Sequence, residues 1–271
     1  MTACSLAAAI AATGCGLTPS APRERARQAW VEEDYEVSAS AYEEYLAEAP
    51  VGPEAEEAEL QLADIYYHNL KLYDRARDRY VMFLGKYPGS PRAYEARERL
   101  AEVYVELKAY PEAIAQYEQL LAERPDTPDR RKIRSEIANL YFEHGDPAQA
   151  ELEYVRVVEG AEYDELSEQA LLRVASINHR ILNRHERAVP IYERIATSTP
   201  DPVVRRNALY GLTDAYAELF RFDEAVATLK RVDDPAEADY VAKRTAELER
   251  QKKDHAEAPE VDWTRGKGEG G

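Results

Sequence analysis

A period of 37 to 38 residues runs through most of this chain and leaves few folds open to it. A small residue is followed four places later by Tyr or Leu at Ser38/Tyr42, Ala76/Tyr80, Ala113/Tyr117, Ala150/Tyr154, Ala188/Tyr192 and Ala225/Leu229. The steps between these anchors are 38, 37, 37, 38 and 37 residues. Nine places before each small residue stands a second anchor: Ala29, Tyr67, Tyr104, Tyr141, His179 and Tyr216. A single helix pair cannot bury its apolar face alone, so such a period specifies pairs stacked on neighbours. The expected fold class is all-α, a solenoid of six helix pairs over residues 25–234 followed by a capping helix over 235–255. No long stretch alternates with a period of two, so strands are not expected.

The repeat resembles the tetratricopeptide pattern, whose nominal length is about 34 residues. Repeat two carries it most fully, with Leu60, Ala63 and Tyr67, then Ala76, Tyr80, Leu84 and Pro88. Small residues allow the two helices to approach, aromatics fill the space between pairs, and the proline ends the second helix. The resemblance implies a right-handed superhelix and a protein-binding function. Repeat four departs by placing Glu162 where Pro50, Pro88, Pro125 and Pro200 stand, and repeat five by His179 in place of Tyr. Capping chemistry marks helix starts at Ser90-Pro91, Thr127-Pro128, Asp146-Pro147, Asp201-Pro202 and Asp234-Pro235, where a side-chain acceptor precedes a proline suited to a first turn. Residues 256–271 are rich in Gly and charge, with Trp263 as the lone aromatic, and are expected to be disordered.

Thirty-five Lys and Arg against 52 Asp and Glu give a net charge of −17, which argues against nucleic acid or an anionic lipid surface as partner. The unbroken period argues for one elongated unit. Between Gln28 and Leu70 there are twelve acidic residues and no Lys or Arg. This stretch reads either as a solvated helical face or as a docking surface for a basic partner. The basic cluster Arg130, Arg131, Lys132 and Arg134 reads as neutralising nearby Glu side chains.

An apolar run from Leu6 to Ala12 leads into Thr13-Gly14-Cys15, and this resembles a secretory signal ending in a bacterial lipobox. The resemblance implies that residues 1–14 are removed and that Cys15 carries a lipid, with 15–24 as linker. An ordinary cleaved signal and an uncleaved cytoplasmic tail stay open beside it. The run is far shorter than the roughly 20 residues that span a bilayer, so membrane contact is expected only through the anchor. The two cysteines, Cys4 and Cys15, both precede the repeats, so no disulfide holds the folded part.

His68, His144, His179, His185 and His255 show no paired metal spacing, and the six-residue separation of His179 and His185 places them on different faces of a helix or across its end. There is no G-x-S-x-G, phosphate loop or C-x-x-C. No enzyme activity, metal or cofactor is expected.

In tetratricopeptide proteins the first helix of each pair lines a concave face that grips a peptide or helix. Carrying that register over points to His68 and Ile65 in repeat two, Glu102 and Val105 in repeat three, and Asn139 and Phe142 in repeat four. It continues with Arg173, Ile177 and Arg180 in repeat five and Tyr210 and Asp214 in repeat six. Phe142 is the expected apolar anchor. Lys132 and Asn139 alone do not make the carboxylate clamp of chaperone-binding relatives. Residues Tyr87 to Ala93 reproduce a "YP-x-S-x-x-A" linker that is similar to the bacterial envelope subclass with BamD-type and CpoB-type lipoproteins. That similarity implies a lipid-anchored scaffold on the periplasmic face of the outer membrane, binding an envelope or outer-membrane assembly component. A pilotin-like role for a secretin or pilus machine and a soluble cytoplasmic adaptor are the alternatives.

Overall fold

The computed structural model describes residues 21–48 and 50–257. The lipobox and most of the expected tail, including Cys15 and Trp263, lie outside them. Among the described residues there are helices and turns and no strand. Packing divides the chain into two compact units, one ending at Ala109 and one beginning at Tyr110. The division falls inside repeat three, where the period itself is unbroken. Repeat pairs touch only their neighbours, so a continuous sequence period does not require a single body.

The first unit holds α1 (Pro22–Val31), α2 (Tyr35–Ala47), α3 (Pro53–Asp64), α4 (Tyr73–Lys86) and α5 (Ala93–Glu106). Consecutive helices pack in turn. The second unit holds α6 (Tyr110–Glu123), α7 (Arg130–Glu143), α8 (Pro147–Val158), α9 (Glu165–Ser176), α10 (His185–Ser198), α11 (Pro202–Glu218), α12 (Phe222–Leu229) and α13 (Ala238–Glu257). The same neighbour-to-neighbour pattern runs through it.

The periodic residues are the contact points. Ser38, Ala76, Ala113, Ala150, Ala188 and Ala225 are all 0% exposed, and the Tyr or Leu four places on is buried in every repeat. Ser38 also satisfies its hydroxyl there, donating to the Ala26 carbonyl at 2.8 Å. Five residues before each small anchor the chain turns at positive φ, at Glu33, Lys71, Lys108, Gly145, Asn183 and Phe220. This is the left-handed residue that closes a helix and frees the chain to reverse. In four repeats the next residue (Asp34, Ala109, Asp146 or Arg221) donates its N–H to the carbonyl of the second anchor at 2.8 to 2.9 Å.

Repeats two and five differ, and they are the two reached by a 38-residue step. Each ends its first helix in a π-helical turn, Ile65–Asn69 or Ile177–Ile181. Leu70 N–H reaches Ile65 and Leu182 N–H reaches Ile177, each five residues back. The closing bond then falls one residue earlier, from Leu72 to Tyr66 and from Arg184 to Asn178. The additional residue is thus absorbed as a π-bulge inside the helix end, leaving the turn unchanged.

Capping follows the sequence in part. Asp146, Asp201 and Asp234 accept from N–H groups two or three residues on. After Ser90 and Thr127 the helix starts later than expected, at Ala93 and Arg130, because each residue first closes a turn through its carbonyl. Repeat four lacks the linker proline and instead uses Asp164, which accepts from Ser167 N–H at 2.8 Å to cap α9. The charged α13 follows a short 3-10 turn and buries only Leu248.

Candidate functional site

The second unit carries a concavity of about 450 Å³ between α7 and α9. Ser135, Asn139, Tyr154, Gln169, Arg173 and Ser176 supply its polar lining. Five of these sit on the first helices of successive repeats at one-turn or two-turn spacing, which puts them on one face. Tyr154 comes from α8, beneath. Its ring is buried, while its hydroxyl donates to Asn139 Oδ1 at 2.5 Å. That bond fixes the Asn139 amide with its NH2 toward Glu136 Oε2, at 3.4 Å. Burial raises the Tyr154 phenol above its usual range, partly offset by the Arg173 guanidinium, so the hydroxyl stays a donor at neutral pH.

Arg173 is exposed and forms no ion pair among the described residues. Arg180, in the π-turn, is likewise exposed and unpaired. An uncommitted guanidinium beside hydroxyls and amides can take a carboxylate or a peptide carbonyl with two parallel hydrogen bonds.

The structure therefore brings Asn139 and Arg173 together and separates the other expected residues from them. Ile177 is 1% exposed and belongs to the core of the second unit. Ile65 is also 1% exposed, in the core of the first. Both errors have one cause. Counting back from the small anchor crosses the π-bulge and lands one residue late, so the groove positions are Ser176 and Asp64. The equivalence is visible in the tyrosines: Tyr80 hydroxyl donates to Asp64 Oδ1 at 2.5 Å, as Tyr154 does to Asn139. Phe142 is half-buried against the core and forms no exposed anchor.

Tyr210 is engaged by the capping segment: its hydroxyl donates to Glu237 at 3.0 Å and its ring meets Tyr240 edge-on at 5.0 Å. Burial and Glu237 push its phenol up to about 12. Asp214 is taken by Arg244 of the same segment at 3.0 Å. His68, in the first unit, is exposed and held against Arg99. Loss of hydration and then that guanidinium push its imidazole below the usual range. Ser135, Gln169 and Ser176 went unread in the sequence, and the 38-residue steps were the signal that would have found Ser176.

Of the two places left open for His179 and His185, the structure shows the second: they stand across the helix end, with ring centroids 5.3 Å apart, edge to face, because the π-turn and the reversal fold one onto the other. The acidic stretch is partly compensated from outside its own sequence: Arg23 meets Glu57 at 3.0 Å, Arg79 meets Glu43 at 3.2 Å, and Lys86 meets the buried Glu59 at 3.4 Å. Among the described residues no cluster of three or more His, Cys, Asp or Glu could hold a metal ion. Among them, too, no helix is long and apolar enough to cross a membrane.

The tetratricopeptide repeat family profile matches residues 23–91, 60–128 and 135–202. The chain belongs to the tetratricopeptide repeat family, whose fold serves protein–protein interaction. Among solved structures, Naa15/Naa10 bound to HypK-THB aligns with a TM-score of 0.57 at 18% identity, over 87% of this chain and 41% of that one. A tetratricopeptide repeat protein from Parabacteroides merdae aligns at 0.49 and 18% identity, over 89% of this chain and 94% of that one. YrrB, described as a TPR protein with an unusual peptide-binding site, aligns at 0.48 and 18% identity, over 77% and 99%. These likenesses are of fold. No curated relative matches the sequence.

Proposed function

We propose that this protein is a lipid-anchored envelope scaffold that holds an extended segment of a protein partner in the α7/α9 concavity and acts in outer-membrane protein assembly. The observation that carries the binding reading is the unpaired Arg173 facing the oriented Asn139 amide in a cavity of about 450 Å³. A partner backbone supplies carbonyls for both, and an acidic side chain supplies the carboxylate that Arg173 lacks. The anchor rests on Thr13-Gly14-Cys15 after the apolar run, and the envelope setting on the Tyr87–Ala93 linker.

Palmitate labelling tests the anchor: incorporation that disappears in Cys15→Ser supports it, and an unlabelled, freely soluble wild type points to the cytoplasmic adaptor. Affinity capture from detergent-solubilised envelopes tests the partner. Recovery of a barrel-assembly component supports the assembly reading, and recovery of a secretin replaces it with the pilotin-like one. In either case Arg173→Glu should lose the captured protein while keeping the wild-type circular dichroism spectrum. Capture unchanged by Arg173→Glu overturns the concavity as the binding site.

A further inference from the structure

A second cavity of the same unit, of about 440 Å³, is lined by four arginines, Arg130, Arg131, Arg134 and Arg156. Converging four guanidiniums is unfavourable unless anions compensate them, and here the protein supplies only part of that compensation. Arg131 commits four of its five N–H donors. It donates to both oxygens of Asp164 at 2.6 and 2.8 Å, to the Val157 carbonyl at 2.9 Å and to Ser167 Oγ at 2.8 Å. Arg134 and Arg156 share the buried Glu153, which Arg134 meets at 2.8 Å. Each uses one Nη for that contact, so the carboxylate holds them in place while most of their N–H donors stay available. Arg130 is exposed and unpaired among the described residues. Glu159 is the one carboxylate in the lining, so the cavity is net positive in a chain of net charge −17.

The arrangement occurs again two repeats later. Arg205, Arg206 and Arg231 stand 75 residues after Arg130, Arg131 and Arg156, matching the step from Ala150 to Ala225, and line a cavity of about 260 Å³. The division of labour is similar, with less charge to spare: Asp233 and Asp234 also line this cavity, Arg205 gives one N–H to the Thr199 carbonyl at 2.7 Å, and Arg231 pairs with Glu193 through both Nη atoms, so three arginines face two carboxylates. Arg206 is tied to the helix-capping Asp234 at 2.5 Å, as Arg131 is to Asp164, and Arg231 is oriented by Glu193 at 2.7 Å. The repeat between them, counted across its π-bulge, has Ser167 and Glu168 at the places of Arg130 and Arg131 and keeps an arginine only at the third place, Arg194, so the three-arginine set is not a general property of the repeat.

We infer that these two arginine cavities are binding sites for phosphate-type oxyanions. Oriented guanidinium forks fit a phosphate group, whose three peripheral oxygens accept from more than one arginine, better than a single carboxylate. The source is a soluble phosphate or phosphate ester, because the net charge of the chain repels an anionic lipid surface. Neither cavity shares a lining residue with the α7/α9 concavity, so the inference stands apart from the proposed function.

Calorimetric titration of the full chain with inorganic pyrophosphate, at ionic strength held constant with sodium chloride, tests it. The expected result is saturable binding at two sites. Arg130→Glu should remove one and Arg205→Glu the other, each weakening its site about tenfold or more, as expected for lost charge-assisted hydrogen bonds. Unchanged melting curves show that both variants fold. Cosedimentation with phosphatidic acid vesicles forms the second arm, and vesicle binding lost in the double variant keeps the sites but moves the source to a lipid headgroup. Heats no larger than with added chloride, or a double variant that binds as wild type, overturn the inference.

Discussion

Glu33, Lys71, Lys108, Asn183 and Phe220 hold left-handed backbone at φ between 51 and 60°, a conformation that costs a residue with a Cβ roughly 1 to 2 kcal/mol. The sixth turn places Gly145 there, where an added Cβ would meet no atom within 4 Å. Gly145→Ala should therefore destabilise by backbone strain alone, about 1 kcal/mol in urea unfolding. Lys108→Gly should stabilise by about 0.5 kcal/mol, since relief of strain slightly outweighs the entropy glycine adds to the unfolded chain. Shifts of the same sign in both would contradict this account of the turns. Gly211 has a different cause. It lies inside α11 where a Cβ would come within 2.5 Å of the Tyr192 ring. Gly211→Ala should lower stability by roughly 1 to 3 kcal/mol through overpacking, although helix propensity alone favours Ala by about 1 kcal/mol. A more stable variant would show that Tyr192 moves aside freely.

At the scale of elements, the junction of α9 and α10 carries a pH dependence through a buried histidine. His179 takes the place held by Tyr in repeats two, three, four and six and is 7% exposed. Burial pushes its imidazole below the usual range, and His185 and Arg180 add to this, against Asp214 and Glu218 of α11. The folded protein therefore binds this proton less readily than the unfolded chain. Stability from His179 is complete above the ordinary imidazole value of about 6.5 and is lost as pH falls through the lower folded value. Thermal unfolding between pH 7.5 and 5 should show this loss, and His179→Tyr should flatten it. An equal slope in the variant would assign the effect to other groups. The same elements show what was legible in the sequence. All six small anchors are buried where the period placed them, because close helix contact admits no larger residue. The groove at Ile65 and Ile177 was misread because a π-bulge leaves only a one-residue trace, 38 against 37, and that trace does not say on which side of the anchor the residue is inserted. Tyr210 and Asp214 were misjudged because α13 was read as a cap without its contacts, which consume both.

For the whole molecule, the acidic surface and the binding face are separable. Counter-ions for Glu43, Glu57 and Glu59 come from Arg79, Arg23 and Lys86, which the local sequence from Gln28 to Leu70 could not reveal. Partner binding through Arg173 should weaken with salt by a modest amount, as for one or two charge pairs, whereas docking on the acidic stretch would give a steep dependence. Affinity measured between 50 mM and 500 mM sodium chloride distinguishes them. The central claim is that the α7/α9 concavity holds the partner, and site-specific photo-crosslinking in cells tests it most directly. A benzophenone amino acid replacing Gln169, in the cavity, should give a protein adduct that is lost when Arg173→Glu is added, while the same probe replacing the exposed Leu152 of α8 should give none. Adducts from Leu152 with none from Gln169, or a Gln169 adduct indifferent to Arg173→Glu, would contradict the account.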